Sequence, residues 1–122
     1  MNAQISTETL YGLRSACPNV LLVGAGTSQE DNLAALLETS RPPAWWCDGT
    51  QFALPPETVG TLVLRNPAAL SPGEQRSLHA WASANPRVQI LTITPSSLYP
   101  LVLAGSFLDD LYYWLNVVTI PE

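Results

Sequence analysis

Four short apolar runs constrain this chain more than any other feature: residues 20–23 (VLLV), 61–64 (TLVL), 88–93 (VQILTI) and 117–120 (VVTI). A strand with one wet face alternates apolar and polar residues. Runs with so little alternation predict strands covered on both faces, as in a parallel sheet. Helical patterns fill the intervals. Leu33, Leu36 and Leu37 recur at helical spacing over 31–38, which Arg41-Pro42-Pro43 terminates. Ser71-Pro72-Gly73-Glu74 opens a helix, with Ser71 as cap, Pro72 at the first helical position and Glu74 closing a capping box. Leu78, Trp81 and Ala82 form its buried stripe, and Asn85-Pro86 ends it. A short helical segment over 98–104, interrupted by Pro100, stops at Gly105, and another helix is predicted over 107–115. A leading helix over 7–15 would place Leu10 and Leu13 on one face. Residues 44–56 are least regular. Trp45, Trp46, Phe52 and Leu54 give them apolar weight, Asp48-Gly49 reads as a turn, and part of the stretch reads as an edge strand. Strands alternating with helices predict a three-layer α/β fold around a mainly parallel sheet. The 122 residues suffice for a single domain, 1–122.

Residues 19–30, NVLLVGAGTSQE, join the first strand to the first helix through Gly24 and Gly26. Strand, glycine turn and helix form the outline of a phosphate-binding loop. The chemistry of such a loop is missing. It needs a lysine for the terminal phosphates, and this chain has none. Its five basic residues are all arginines: Arg14, Arg41, Arg65, Arg76 and Arg87. The same glycines also suit a tight strand-to-helix turn with no ligand.

Bulk properties exclude several function classes. An apolar fraction of 47% with 12% charged residues indicates a packed globule. A net charge of -5 argues against a binder of nucleic-acid backbones. No apolar run approaches the roughly 20 residues that span a bilayer, and the N-terminus has no basic start or apolar core of a secretory signal. Cys17 and Cys47 are too few and too ill-spaced for a metal site. They read as reduced core residues of a cytoplasmic protein. His79 stands without a partner on its helix, and the adjacent Asp109 and Asp110 diverge on theirs, so neither marks a catalytic centre.

The C-terminal segment 105–120, GSFLDDLYYWLNVVTI, carries a resemblance. It is similar to the G-x-F-R-x-D-L-Y-Y-R-L-N-V segment in the AAA+ domain of sigma-54-dependent transcription activators. The match runs through Gly105, Phe107, Asp110, Leu111, Tyr112, Tyr113, Leu115, Asn116 and Val117. Residues 60–64, with Leu70, Gln75 and Leu78, resemble that family's Walker B strand and the helix after it. Residues 88–94 resemble its sensor strand and 20–30 its Walker A region. The resemblance covers about 13–120. It implies a P-loop NTPase-like AAA+ core, with strands 20–23 and 88–93 adjacent at the centre, 61–64 beside the latter, and 117–120 on the other edge of 20–23.

Departures from the family pattern decide the functional expectation. The family's Walker A loop reads about G-E-x-G-T-G-K-E. Residues 24–30 are shorter here, and Gln29 stands at the lysine position when Glu30 is aligned with the glutamate. Gln29 can hydrogen-bond a phosphate but brings no charge. The Walker B strand should end in Asp-Glu and ends in Arg65-Asn66. The sensor position is Pro95, and Leu108 and Trp114 replace two family arginines. Nothing resembles the sigma-factor contact loop, and no helical lid follows residue 122.

The resulting expectation is a catalytically inactive AAA+-like module that works through protein–protein contact in transcription regulation, without metal or cofactor. Gly24, Gly26, Thr27, Ser28 and Gln29 are its vestigial nucleotide loop. A ring fastened by nucleotide and arginines is not expected, so a monomer or dimer is, with Leu108 and Trp114 as interface candidates. No direct contact with nucleic acid or membrane is expected. Arg65 reads as half of a structural ion pair rather than an anion site. The rival reading is a sensor that holds ATP or ADP without hydrolysis, using the amides of 24–28 and the helix dipole. A third is a piece of a longer regulator, against which Met1 favours a complete reading frame.

Overall fold

The computed structural model describes residues 17–121, so the helix expected over 7–15 lies outside the described residues. In chain order the elements are β1 (Val20–Val23), α1 (Thr27–Leu37), β2 (Ala44–Asp48), β3 (Thr61–Arg65), a 3-10 turn (Pro67–Ala69), α2 (Pro72–Ala84), β4 (Gln89–Thr94), α3 (Tyr99–Leu103), α4 (Asp109–Leu115) and β5 (Val118–Pro121). All strand pairs are parallel, in the order β2-β3-β4-β1-β5. That is the order expected from the resemblance, with the irregular stretch supplying β2 as an edge strand.

The unbroken apolar runs have the reason inferred for them. Leu62 and Leu64 of β3, Ile90 of β4 and Leu21 of β1 face one side, against Leu78 and Ala82 of α2 and Leu111 and Leu115 of α4. Their neighbours Val63, Leu91, Ile93, Val20 and Leu22 face the other, against Leu33 and Leu36 of α1. Successive side chains point to opposite faces of a strand, so burial between two cores favours apolar residues on both faces, with Thr61, Gln89, Thr92 and Thr94 as the buried polar exceptions in β3 and β4. Each fully buried leucine contributes about 2 kcal/mol of transfer free energy.

Polar side chains set the ends of the sheet. Asn19 Nδ2 donates to Trp114 O at 2.9 Å while its Oδ1 accepts from Ile90 N at 2.7 Å, joining β1, β4 and α4. Gln75 of α2 donates to Leu70 O and Ser106 O and accepts from Leu108 N at 2.8 Å, which fixes the start of α4. The capping box on α2 is complete: Ser71 Oγ accepts from Glu74 N at 3.1 Å and Glu74 Oε1 from Ser71 N at 2.8 Å. Helix α1 begins four residues ahead of the leucine pattern, because Gly26 takes the N-cap position and Thr27 is already helical.

Candidate functional site

In open α/β sheets, ligands bind beyond the carboxyl ends of the strands. At that end the turns after β1, β3 and β4 enclose a pocket of about 200 Å³, lined by Gly24, Ala25, Glu30, Arg65, Asn66, Ile93 and Pro95. Gly24 has φ 139, a conformation that side chains disfavour, and its N–H donates to Thr94 O at 2.9 Å. That amide is committed to the sheet. Gly26 caps α1, Thr27 is exposed and Ser28 half-buried at its start.

Gln29 does not face this pocket's solvent. It is 0% exposed, and its Nε2 donates to Val23 O at 2.7 Å and Ile120 O at 2.8 Å. Its Oε1 accepts from Asn32 Nδ2 at 3.0 Å. The side chain at the position aligned with the family lysine therefore ties the carboxyl ends of β1 and β5 together from below. A signal for this was present in the sequence. Residues 29, 32, 33 and 36 follow the i, i+3, i+4, i+7 stripe of the inward face of α1, and all four are buried.

Glu30, one residue on, points outward. Its carboxylate accepts from both terminal nitrogens of Arg65, at 2.6 and 2.9 Å, in a bidentate pair. The Arg65 hydrogen bonds hold the Glu30 carboxyl below its usual range, and Glu30 raises Arg65 in return. The Arg65 guanidinium also lies 5.8 Å from the centroid of the Trp46 ring, within cation–π range. Beside it, Asp48 accepts from Thr50 N at 2.8 Å and Thr50 Oγ1 at 2.7 Å. These bonds, the backbone one first, hold its carboxyl low. Asn66, where a Walker B strand would end, adopts φ 52 and reaches Asp48 at 3.3 Å.

A metal–triphosphate site needs a cation for phosphate oxygens and carboxylates free to bind the metal. Here the pocket's cation and its carboxylate bind each other, and no group of three or more His, Cys, Asp or Glu among the described residues could hold a metal. The residues present do not fit magnesium with ATP.

Leu108 and Trp114 do not form an open patch. Leu108 is half-buried against the core at the start of α4. Trp114, also half-buried, meets His79 of α2 edge-on at 5.9 Å between ring centroids. The large exposed apolar side chains nearby are Tyr99 and Leu103 of α3 and Tyr113 of α4, with Val117 just beyond α4. Tyr112 links the tyrosines, 6.0 Å from Tyr99 and 5.4 Å from Tyr113. Cys47 is buried, which pushes its thiol pKa up, and neither Cys17 nor Cys47 is in a disulfide.

Solved structures share this architecture. NtrX from Brucella abortus in complex with ATP superposes with a TM-score of 0.73 at 17% identity, over 93% of this chain and 33% of that one. The P-loop NTPase domain of the Sigma-54 transport activator from E. coli gives 0.71 at 24% identity, over 93% of this chain and 89% of that one. The fold is that of a P-loop NTPase domain. The chain spans about a third of the NtrX structure and nearly all of the isolated E. coli domain. No protein-family model matches the chain, and no curated protein matches its sequence. Among the described residues, no helix is long and apolar enough to cross a membrane.

Proposed function

We propose that this domain is a catalytically inactive relative of the sigma-54 activator AAA+ core, acting as a protein-interaction or regulatory module. The observation that carries the reading is the bidentate Glu30–Arg65 pair in the pocket where a P-loop domain holds nucleotide. Phosphoryl transfer in this fold depends on positioning and charge neutralisation. Here the lysine position holds a core glutamine and the Walker B position holds a cation bonded to its own carboxylate. The exposed Tyr99 and Tyr113, bridged by Tyr112, supply an aromatic face of the kind that anchors protein partners. Without nucleotide-bridged contacts the domain is a monomer or dimer, and light scattering across concentrations reads this directly. Inactivity is tested by magnesium-dependent phosphate release from ATP. The expected rate equals buffer, and release that persists through successive purification steps and disappears in Arg65→Ala overturns the reading.

A further inference from the structure

A larger cavity than the one beside Arg65 lies at the other end of the sheet. Residues before β3 and β4 and after α1 enclose about 530 Å³, the size of a small-molecule site. Pro42, Pro43, Pro86, Val59 and Val88 make its walls apolar. Two exposed arginines, Arg41 and Arg87, stand on its lining, and neither is in an ion pair among the described residues. In a chain of net charge -5, two guanidiniums on one apolar pocket place two of the five cationic side chains together. The pocket is also rigidly built. The buried Thr61 hydroxyl donates to Arg41 O at 2.8 Å, Gly60 N donates to Pro43 O at 3.0 Å, and Val88 N donates to Asn85 O at 3.0 Å. A Cβ on Gly60 would lie 2.4 Å from Arg41 O, so the glycine allows the two loops to close on each other. Roughly 13 Å of β3 separates this pocket from the Arg65 end, so its ligand is independent of any nucleotide.

We propose that this pocket binds a small apolar anion, an aromatic or aliphatic carboxylate or its sulfonate analogue. The hydrocarbon body packs on the proline and valine walls, and the anionic group sits at Arg41 and Arg87. Guanidinium suits this task because its planar fork matches a carboxylate and its charge is permanent. The probe is 8-anilinonaphthalene-1-sulfonate, titrated by fluorescence beside its uncharged relative N-phenyl-1-naphthylamine. Wild type binds the anion at one saturable site, at least about tenfold tighter than the neutral probe, as hydrogen bonds to charged groups imply. Arg41→Gln with Arg87→Gln weakens the anion by about tenfold or more and leaves the neutral probe and the urea midpoint unchanged. Val59→Trp, which fills the pocket, removes both. Equal affinity for the two probes, or anion binding unchanged in the double variant or in Val59→Trp, overturns the proposal.

Discussion

Replacing Gln29 with methionine tests whether that side chain belongs to the core. Methionine keeps the length and removes the carboxamide, so the change is polar rather than volumetric. The wild-type side chain makes hydrogen bonds of 2.7, 2.8 and 3.0 Å, two of them to main-chain carbonyls of different strands. Each is worth about 1 kcal/mol net, and a buried carbonyl deprived of its donor costs about 1–3 kcal/mol. The combined loss is about 3 kcal/mol, which for a domain of this length lowers Tm by about 10 °C. Urea unfolding followed by circular dichroism and tryptophan fluorescence measures it, with Gln51→Met at an exposed position as control. Because Gln29 binds the carbonyl of Ile120, amide exchange in the edge strand β5 should also accelerate. A Gln29→Met midpoint within about 0.5 kcal/mol of wild type would show that the carboxamide is not the tie described, since ordinary surface changes fall in that range.

Three further outcomes follow from named contacts. Glu30 titrates below its usual value near 4.5 when folded, so its pairing with Arg65 stabilises fully above that pH and is lost as pH falls through the lower folded value; Arg65→Ala should flatten this acid-side loss in urea midpoints between pH 6 and pH 3, and an unchanged slope would contradict the pairing. Ser71→Ala removes one side of the capping box and should cost about 1 kcal/mol in the same assay, whereas no loss would show the cap to be idle. Gly49→Ala places a Cβ 1.9 Å from Asn66 O and should cost at least about 2 kcal/mol, and wild-type stability would mean the turn after β2 relaxes freely.

Much of the fold was legible because it rests on patterns that local sequence displays. Two-sided burial wrote itself into β1, β3 and β4 as continuous apolar runs, and Ser71–Glu74 spelled out the start of α2. The candidate site was legible only as residue types. Gln29 was readable as a neutral substitute for lysine, but its inward rotamer depends on the carbonyl of Ile120, 91 residues away. Arg65 was readable as half of an ion pair, while the identity of Glu30 as its partner depended on how β3 lies beside the start of α1. No local pattern marks Asn19, because its two hydrogen-bond partners, Trp114 and Ile90, come from distant parts of the chain. Leu108 and Trp114 were conspicuous as replacements for charges. Their packing depends on Gln75 and His79 of α2, whose approach no local pattern announces. The pocket between Arg41 and Arg87 left no motif at all, since its two arginines come from separate loops.

Calorimetric titration with ATP, with and without magnesium, tests the central claim most directly. With Gln29 in the core and Arg65 engaged by Glu30, titration to about 1 mM nucleotide should give only heats of dilution, corresponding to binding weaker than about -4 kcal/mol. A saturable one-to-one isotherm in the micromolar range that strengthens with magnesium would contradict it, because a pocket that binds metal–nucleotide is not one occupied by its own side chains.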